Sequence, residues 1–193
     1  MRPEQERALE YIRRKGTEGP LPELRERIAK TLGDLEALLD GIGADEARRK
    51  PALDRWCVQE IVDHLVESHR PAVGEIRALL RGERPIGGPI PASLLSADPM
   101  SRSWPDLVRQ LKEVHADFLA ALATASGDSP GEARAPVVLV IKAQEPDCQV
   151  VPVEWIGELD WKAYAATLRV HTLEHQGQIE RTLAATDLSR SPR

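Results

Sequence analysis

The chain has 193 residues, 41% hydrophobic and 30% charged, which is enough for one substantial core and the balance of an ordinary globular domain. A formal net charge of −5 supplies no basic field for nucleic acid or anionic lipid, and no apolar run approaches the roughly 18 residues that span a bilayer. The N-terminus is charged from Arg2 onward with no signal-peptide pattern, so a cytoplasmic protein without membrane or nucleic-acid partners is expected.

Hydrophobic periodicity predicts a mainly α protein in chain order. Pro3 to Arg14 is charged and helix-prone, with Leu9 and Ile12 as its apolar residues, and Gly16 and Gly19-Pro20 end it. Residues 1–18 therefore read as an accessory helix ahead of a bundle spanning 21–186, all in a single domain. From Pro22 to Leu39, the residues Leu24, Ile28, Leu32, Leu35, Leu38 and Leu39 recur at steps of mostly three and four, and Gly41 and Gly43 stop that helix. A longer stripe through Val58, Ile61, Val62, Leu65, Ala72, Val73, Ile76 and Leu80 predicts the next helix, with a kink near Val66 and Glu67 because Pro71 removes one backbone donor. Gly82 to Pro105, rich in Gly, Pro and Ser, reads as a long surface loop.

The following helix is expected over Ser103 to Ala125, with Ser103 as N-cap and Pro105 in its first turn. Val137–Ile141 and Val150–Trp155 are short and β-branched, separated by Gln144-Glu145-Pro146-Asp147, which predicts a small β-hairpin with Pro152 on an edge strand. The last helix runs from Asp160 to Thr186, with Trp161, Tyr164, Leu168, Thr172, Ile179 and Leu183 on one side. Four principal helices, an accessory helix and a hairpin insertion before the last helix define a four-helix bundle. Trp56, Trp104, Trp155 and Trp161 stand near element boundaries, where helix-end packing explains them. Cys57 and Cys148 lack CxxC spacing, which argues against a disulfide framework, and Cys57 reads as a small buried hydrophobe.

Five histidines carry the chemical signal. His171 and His175, four apart on one helix, project in nearly the same direction, His175 within the apolar stripe and His171 at its edge. Two neutral imidazoles aimed into a core can offer lone pairs to one divalent metal, or can simply hydrogen-bond buried carbonyls. A third ligand must come from His64, His69 or His115. Periodicity favours His69, since His64 falls about 110° from the centre of its stripe; the two diverge by about 140° and do not easily share one metal. The string from His171 to His175 also fits the HxxEH motif of inverted zinc proteases, but those take a further acidic ligand well downstream and few residues follow His175. Glu174 turns partly toward solvent and reads as a surface charge.

Trp56-Cys57-Val58-Gln59-Glu60-Ile61-Val62-Asp63-His64-Leu65 at the start of the long helix, with Trp161 and His171-Thr172-Leu173-Glu174-His175-Gln176-Gly177-Gln178-Ile179 on the last, resembles the DinB-like/YfiT-like family of metalloproteins. The resemblance extends from about Leu21 to Ala185 and is specific in those two regions. It implies a four-helix bundle with one histidine from the long helix and the HxxxH pair from the last, which assigns His64, His171 and His175 as the metal ligands. The accessory prefix and the hairpin depart from the family pattern and would reshape a pocket mouth.

Three neutral histidines leave a coordination position open, the arrangement of a catalytic site. Zn²⁺ suits the donors best, and Ni²⁺, Fe²⁺ or Mn²⁺ also accept imidazole. Glu67 and Gln178, each three residues after a ligand, are the expected groups for orienting the imidazoles. The resemblance implies a small-molecule substrate, with a low-molecular-weight thiol first: a metal-dependent thiol S-transferase. A metal-dependent hydrolase, with Glu67 or Glu174 as base, and a non-catalytic metal- or ligand-binding stress protein are the alternatives. Arg77, Arg109 and Arg169 are candidate anchors for a charged thiol. The resemblance also suggests a homodimer.

Overall fold

The computed structural model describes residues 2–144 and 150–188. Its elements run α1 (Pro3–Thr17), α2 (Leu21–Asp40), α3 (Ala44–Ala47), α4 (Val58–Leu80), a 3₁₀ turn at Pro99–Ser101, α5 (Trp104–Ala123), β1 (Ala135–Gln144), β2 (Val150–Leu159) and α6 (Trp161–Leu188). Local chemistry sets the boundaries. Ser103 caps α5 by accepting from the Asp106 N–H, and Asp160 caps α6 by accepting from the Ala163 N–H at 2.9 Å. The Cys57 N–H donates to Glu60 Oε2 at 2.8 Å and opens α4. Cys148 and the expected hairpin turn at Glu145 to Asp147 lie outside the described residues.

α6 packs against α1, α2 and α4, while α5 packs against α4 and α2, so the bundle closes in the order α2–α5–α4–α6. Its apolar residues fall into two clusters. One holds Leu24, Ile28 and Leu32 of α2, Ala72 to Leu79 of α4, Val114 to Leu122 of α5 and Trp161 to Leu168 of α6. The other holds Leu35 and Leu39, Val58 to Val66, Leu107 and Leu111, and Ile179. Reading the clusters along each helix gives the topology. α2 and α6 run from the first cluster toward the second, whereas α4 and α5 both run from the second toward the first. Because α4 and α5 are parallel, residues 81–103 must return along the whole bundle before α5 can start. This segment is the expected long loop.

α4 runs on through Pro71, whose missing N–H leaves the Glu67 carbonyl without its intrahelical donor. The hairpin is longer than the sequence predicts, pairing Ala135 with Leu159 through Gln144 with Val150. Gly157 lets it lie close to its neighbours, since a Cβ there would sit 2.8 Å from Leu139 Cδ1 and 3.7 Å from Leu9 Cδ1. Trp155 accordingly stands inside β2 and not at a helix end. α1 lies on α6 and β1 with Leu9 and Ile12 buried, which confirms an accessory helix docked outside the bundle. Among the described residues no helix is long and apolar enough to cross a membrane.

Candidate metal centre

The two apolar clusters leave a polar seam between them, and the histidines occupy it. Along α4 the clusters break between Val66 and Ala72, at Ser68 and His69; along α6 they break between Leu168 and Ile179, at His171, Thr172 and His175. The first half of α4 is buried nearly all round, so the stripe that placed His64 off-centre does not describe its surroundings. His64 is 1% exposed and His69 2%. Cys57, also fully buried, lies 3.8 Å from Met100 Sδ, and burial pushes its thiol pKa up, as expected of a packed hydrophobe.

His64, His171 and His175 converge, their candidate ligand atoms lying within 4.8 Å of one another. His171 Nε2 is 3.1 Å from His64 Nε2 and 3.0 Å from His175 Nε2. A tetrahedral ion bound at about 2.0–2.1 Å would hold such nitrogens about 3.3–3.4 Å apart, so a slight spreading admits one. The outer nitrogens are each engaged. His64 Nδ1–H donates to the Leu94 carbonyl at 2.8 Å, and His175 Nδ1–H donates to Gln178 Oε1 at 2.8 Å. These bonds leave both Nε2 lone pairs facing inward, the role expected of Gln178. His171 Nδ1 lies 3.0 Å from His69 Nε2. His64 and His69 thus flank the His171 ring through its two different nitrogens, in keeping with their divergence on α4.

Glu67, expected beside His64, is turned elsewhere. Its Oε1 accepts from Arg102 Nη1 at 2.9 Å, because the return segment carries Arg102 across the outer face of α4. The same guanidinium donates to Asp63 Oδ1 at 2.6 Å, and Ser96 donates to Asp63 through its backbone N–H and hydroxyl, both at 2.8 Å. Gln59 Nε2 donates to the Pro99 and Arg102 carbonyls. The contacts 94–64, 96–63 and 99–59 show the segment running antiparallel to α4, which is how the Leu94 carbonyl reaches His64. The sequence gives no role to Asp63, Leu94 or Ser96, an Asp directly before His64 in a buried helix being the one visible signal, and His69, which periodicity favours as a ligand, stands behind His171.

Burial, the largest cause in each case, lowers the pKa of the imidazoles. His175 is pushed down to about 4, with His64 adding to the effect and Gln178 opposing it. His64 is lowered, and His171 and His69 fall well below their ordinary value, with neighbouring histidines contributing. At neutral pH all are uncharged and their lone pairs are free for a cation.

A cleft of about 760 Å³ opens onto His171 and His175. Its walls include Trp56, Val138 and Val140, Trp155, and Ala8 and Ile12 of the accessory helix; its charged lining comprises Arg55, Arg181, Glu154 and Glu174. The buried Trp155 Nε1–H has no acceptor among the described residues. The arginines singled out from the sequence are engaged with other groups. Arg77 pairs with Asp117, Arg109 with Asp106 and Glu113, and Arg169 donates to the Arg27 carbonyl.

The fold and this site place the chain among known proteins. It belongs to the DinB superfamily, whose family model matches residues 27–145, more than half the chain. That span includes His64 and stops short of His171 and His175. A comparison with curated protein sequences finds no match. Among solved structures, TT2238, described as a four-helix bundle protein, superposes with a TM-score of 0.55 at 15% identity over 84% of this chain and 99% of its own. YfiT from Bacillus subtilis, described as a probable metal-dependent hydrolase with an unusual four-helix bundle topology, gives 0.55 at 15% identity over 83% and 86%. The mycothiol-dependent maleylpyruvate isomerase gives 0.61 at 11% identity over 85% of this chain, which spans only 62% of that protein. At these identities the likenesses establish the fold.

Replacing Asp63 by Ala leaves two Ser96 donors without their acceptor and Arg102 with Glu67 as its remaining carboxylate; a loss of about 1–3 kcal/mol in urea unfolding, with faster amide exchange around Leu94, is expected. Metal-free protein should also lose stability as pH falls from about 6.5, where unfolded histidines protonate, to about 4, where folded His175 does. The unfolded state binds more protons across that window, so the slope is destabilising toward acid. Denaturation across this range should show a shallower slope for His175→Gln; an unchanged slope would exclude this imidazole as the cause.

Proposed function

We propose that the chain is a metal-dependent enzyme in which His64, His171 and His175 hold one divalent ion, Zn²⁺ first among the candidates, at the base of the cleft. The observation that carries this reading is the inward convergence of three neutral Nε2 atoms while outer nitrogens are occupied by Leu94, Gln178 and His69. Three neutral donors leave the ion's charge uncompensated, so when bound it supplies Lewis acidity that favours the anionic form of a coordinated thiol or water.

The chain's own residues favour a small thiol carrying an anionic group. Arg55 and Arg181 line the cleft, and neither has an ion-pair partner among the described residues. A carboxylate or phosphate on the ligand would find both cations there. The Trp155 indole N–H supplies a neutral donor in the same wall, and Trp56, Val138 and Val140 bury the apolar part of the substrate. His64, the most deeply buried of the three, stays fixed, whereas the partly exposed His171 and His175 face the substrate side. Transfer of the thiol sulfur to an electrophile is the preferred reaction. Hydrolysis is the second reading, and the presence of Glu174 in the cleft lining favours it, since a carboxylate near the ion can serve as general base. Glu67 is not available for that role while it is held by Arg102.

Untagged protein should carry about one metal per chain, and His64→Ala should lose it while keeping its helicity by circular dichroism. Wild-type protein that stays metal-free after incubation with Zn²⁺, Ni²⁺, Fe²⁺ and Mn²⁺ would remove the enzyme reading. With metal present, turnover of thiol plus electrophile supports transfer, and turnover of esters without thiol supports hydrolysis. In either assay Arg55→Ala and Arg181→Ala should raise KM for anionic substrates about tenfold each with little change for neutral analogues. Equal effects on both would argue against an anion subsite.

A further inference from the structure

Two more histidines are buried in the polar seam beyond the proposed ligands. His69 and His115 are 2% and 1% exposed. His115 Nδ1 lies 2.7 Å from Glu36 Oε1, the rings of His115 and His69 are 6.0 Å apart between centroids at 39°, and His69 Nε2 lies 3.0 Å from His171 Nδ1. His115 Nε2 is buried with no hydrogen-bond partner among the described residues. The four groups form a line across the bundle from α2 through α5 and α4 to α6, beginning at a carboxylate side chain that is 28% exposed.

Hydrogen-bond chemistry gives this line a direction. A carboxylate only accepts, so His115 Nδ1–H donates to Glu36, which in the neutral imidazole leaves Nε2 without a proton. At the other end, His171 can point its Nε2 lone pair at the triad only if its proton sits on Nδ1. That proton must then be donated to His69 Nε2, which leaves the His69 proton on Nδ1. The His115 and His69 rings are in contact with no hydrogen bond between them, so the influence of His115 on His69 runs through the field of its ring. With an ion bound, all three imidazoles thus carry their protons on Nδ1, in two hydrogen bonds joined by a ring contact.

We infer that Glu36, His115 and His69 are positioning residues that lock His171 in its Nδ1–H tautomer and so aim its Nε2 at the metal. The inference rests on the metal-site reading above and extends it to groups that touch no ligand atom of the ion. His171, unlike His64 and His175, has no backbone carbonyl or amide oxygen at its outer nitrogen, so its orientation depends on another imidazole whose own tautomer must be set from farther away. Carboxylates and carbonyls behind metal-bound imidazoles serve the same end.

The test has two readouts. In Zn²⁺-loaded protein with ¹⁵N-labelled histidine, long-range ¹H–¹⁵N correlation should show His69, His115 and His171 as Nδ1–H tautomers. Zn²⁺ affinity, measured by competition with a chromophoric chelator, should fall about 10–100-fold in His69→Leu and recover in His69→Gln, whose amide oxygen can accept the His171 proton. Glu36→Leu, which removes the acceptor at a partly exposed site and should leave the fold intact, should weaken Zn²⁺ severalfold and add nothing in the His69→Leu background. An Nε2–H tautomer at His69 in Zn²⁺-loaded protein would overturn the inference, as would wild-type affinity in a folded Glu36→Leu or His69→Leu protein. Failure of the wild type to bind Zn²⁺ would sink the metal reading by itself, whereas Zn²⁺ binding with another tautomer at His69 would sink this inference alone.

Discussion

The buried carboxylate of Asp63 is the constraint on which the site depends. With α4 and α5 running in the same direction, the chain needs a return path the length of the bundle, and an unanchored path would leave one side of α4 open to water. Asp63 fixes it by accepting from Ser96 and Arg102, and Gln59 holds the next turn through the Pro99 and Arg102 carbonyls. The segment therefore contributes both the cover that buries His64 and the carbonyl that orients it. A buried charge is costly unless fully paired, and here its partners come from one short stretch of chain, which ties the electrostatics of α4 to the geometry of the site.

The bundle accepts a band of imidazoles in its interior because they are neutral and mutually bonded. Apolar clusters at either end supply the burial that drives folding, so the seam itself need not be apolar. Within it the polar atoms are mostly satisfied: Ser68 and Thr172 donate to carbonyls one turn back on their own helices, and the histidines engage Leu94, Gln178, Glu36 and one another. Burial depresses the basicity of the imidazoles, and a group that is uncharged inside a protein is also one that can donate its lone pair to a cation. The features that let the seam fold are thus the ones that suit it to hold a metal.

The walls of the cleft come largely from outside the four bundle helices. The accessory helix α1 contributes Ala8 and Ile12 to the wall, and the hairpin contributes Val138 to Ile141, Glu154 and Trp155. Both elements pack against each other, with Gly157 permitting the close approach of Leu139 and Leu9. The converging histidines sit on bundle helices, whereas the accessory helix and the hairpin shape the mouth. Substrate selectivity in this chain is accordingly expected to reside in α1, β1 and β2.

Much of the architecture was legible in the sequence because its causes are local. The stripes of α2, α4 and α5, the Ser103 cap, the β-branched runs of the hairpin and the HxxxH spacing of His171 and His175 are periodicities or short-range hydrogen bonds that need no tertiary partner to be read. Family resemblance, not periodicity, selected His64, since a helical stripe assumes one buried face and the first half of α4 has no exposed one. Only the tertiary structure decided that Glu67 faces Arg102, that His69 backs His171, that Leu94 orients His64, and that Arg55 and Arg181, in place of Arg77, Arg109 and Arg169, line the cleft. Each of these depends on where the return segment, the hairpin and α6 lie relative to α4, over separations of about thirty residues or more where no local period operates. The sequence by itself determined which helices form and which imidazoles share a face; the packing of parallel α4 and α5 decided what stands behind each of them.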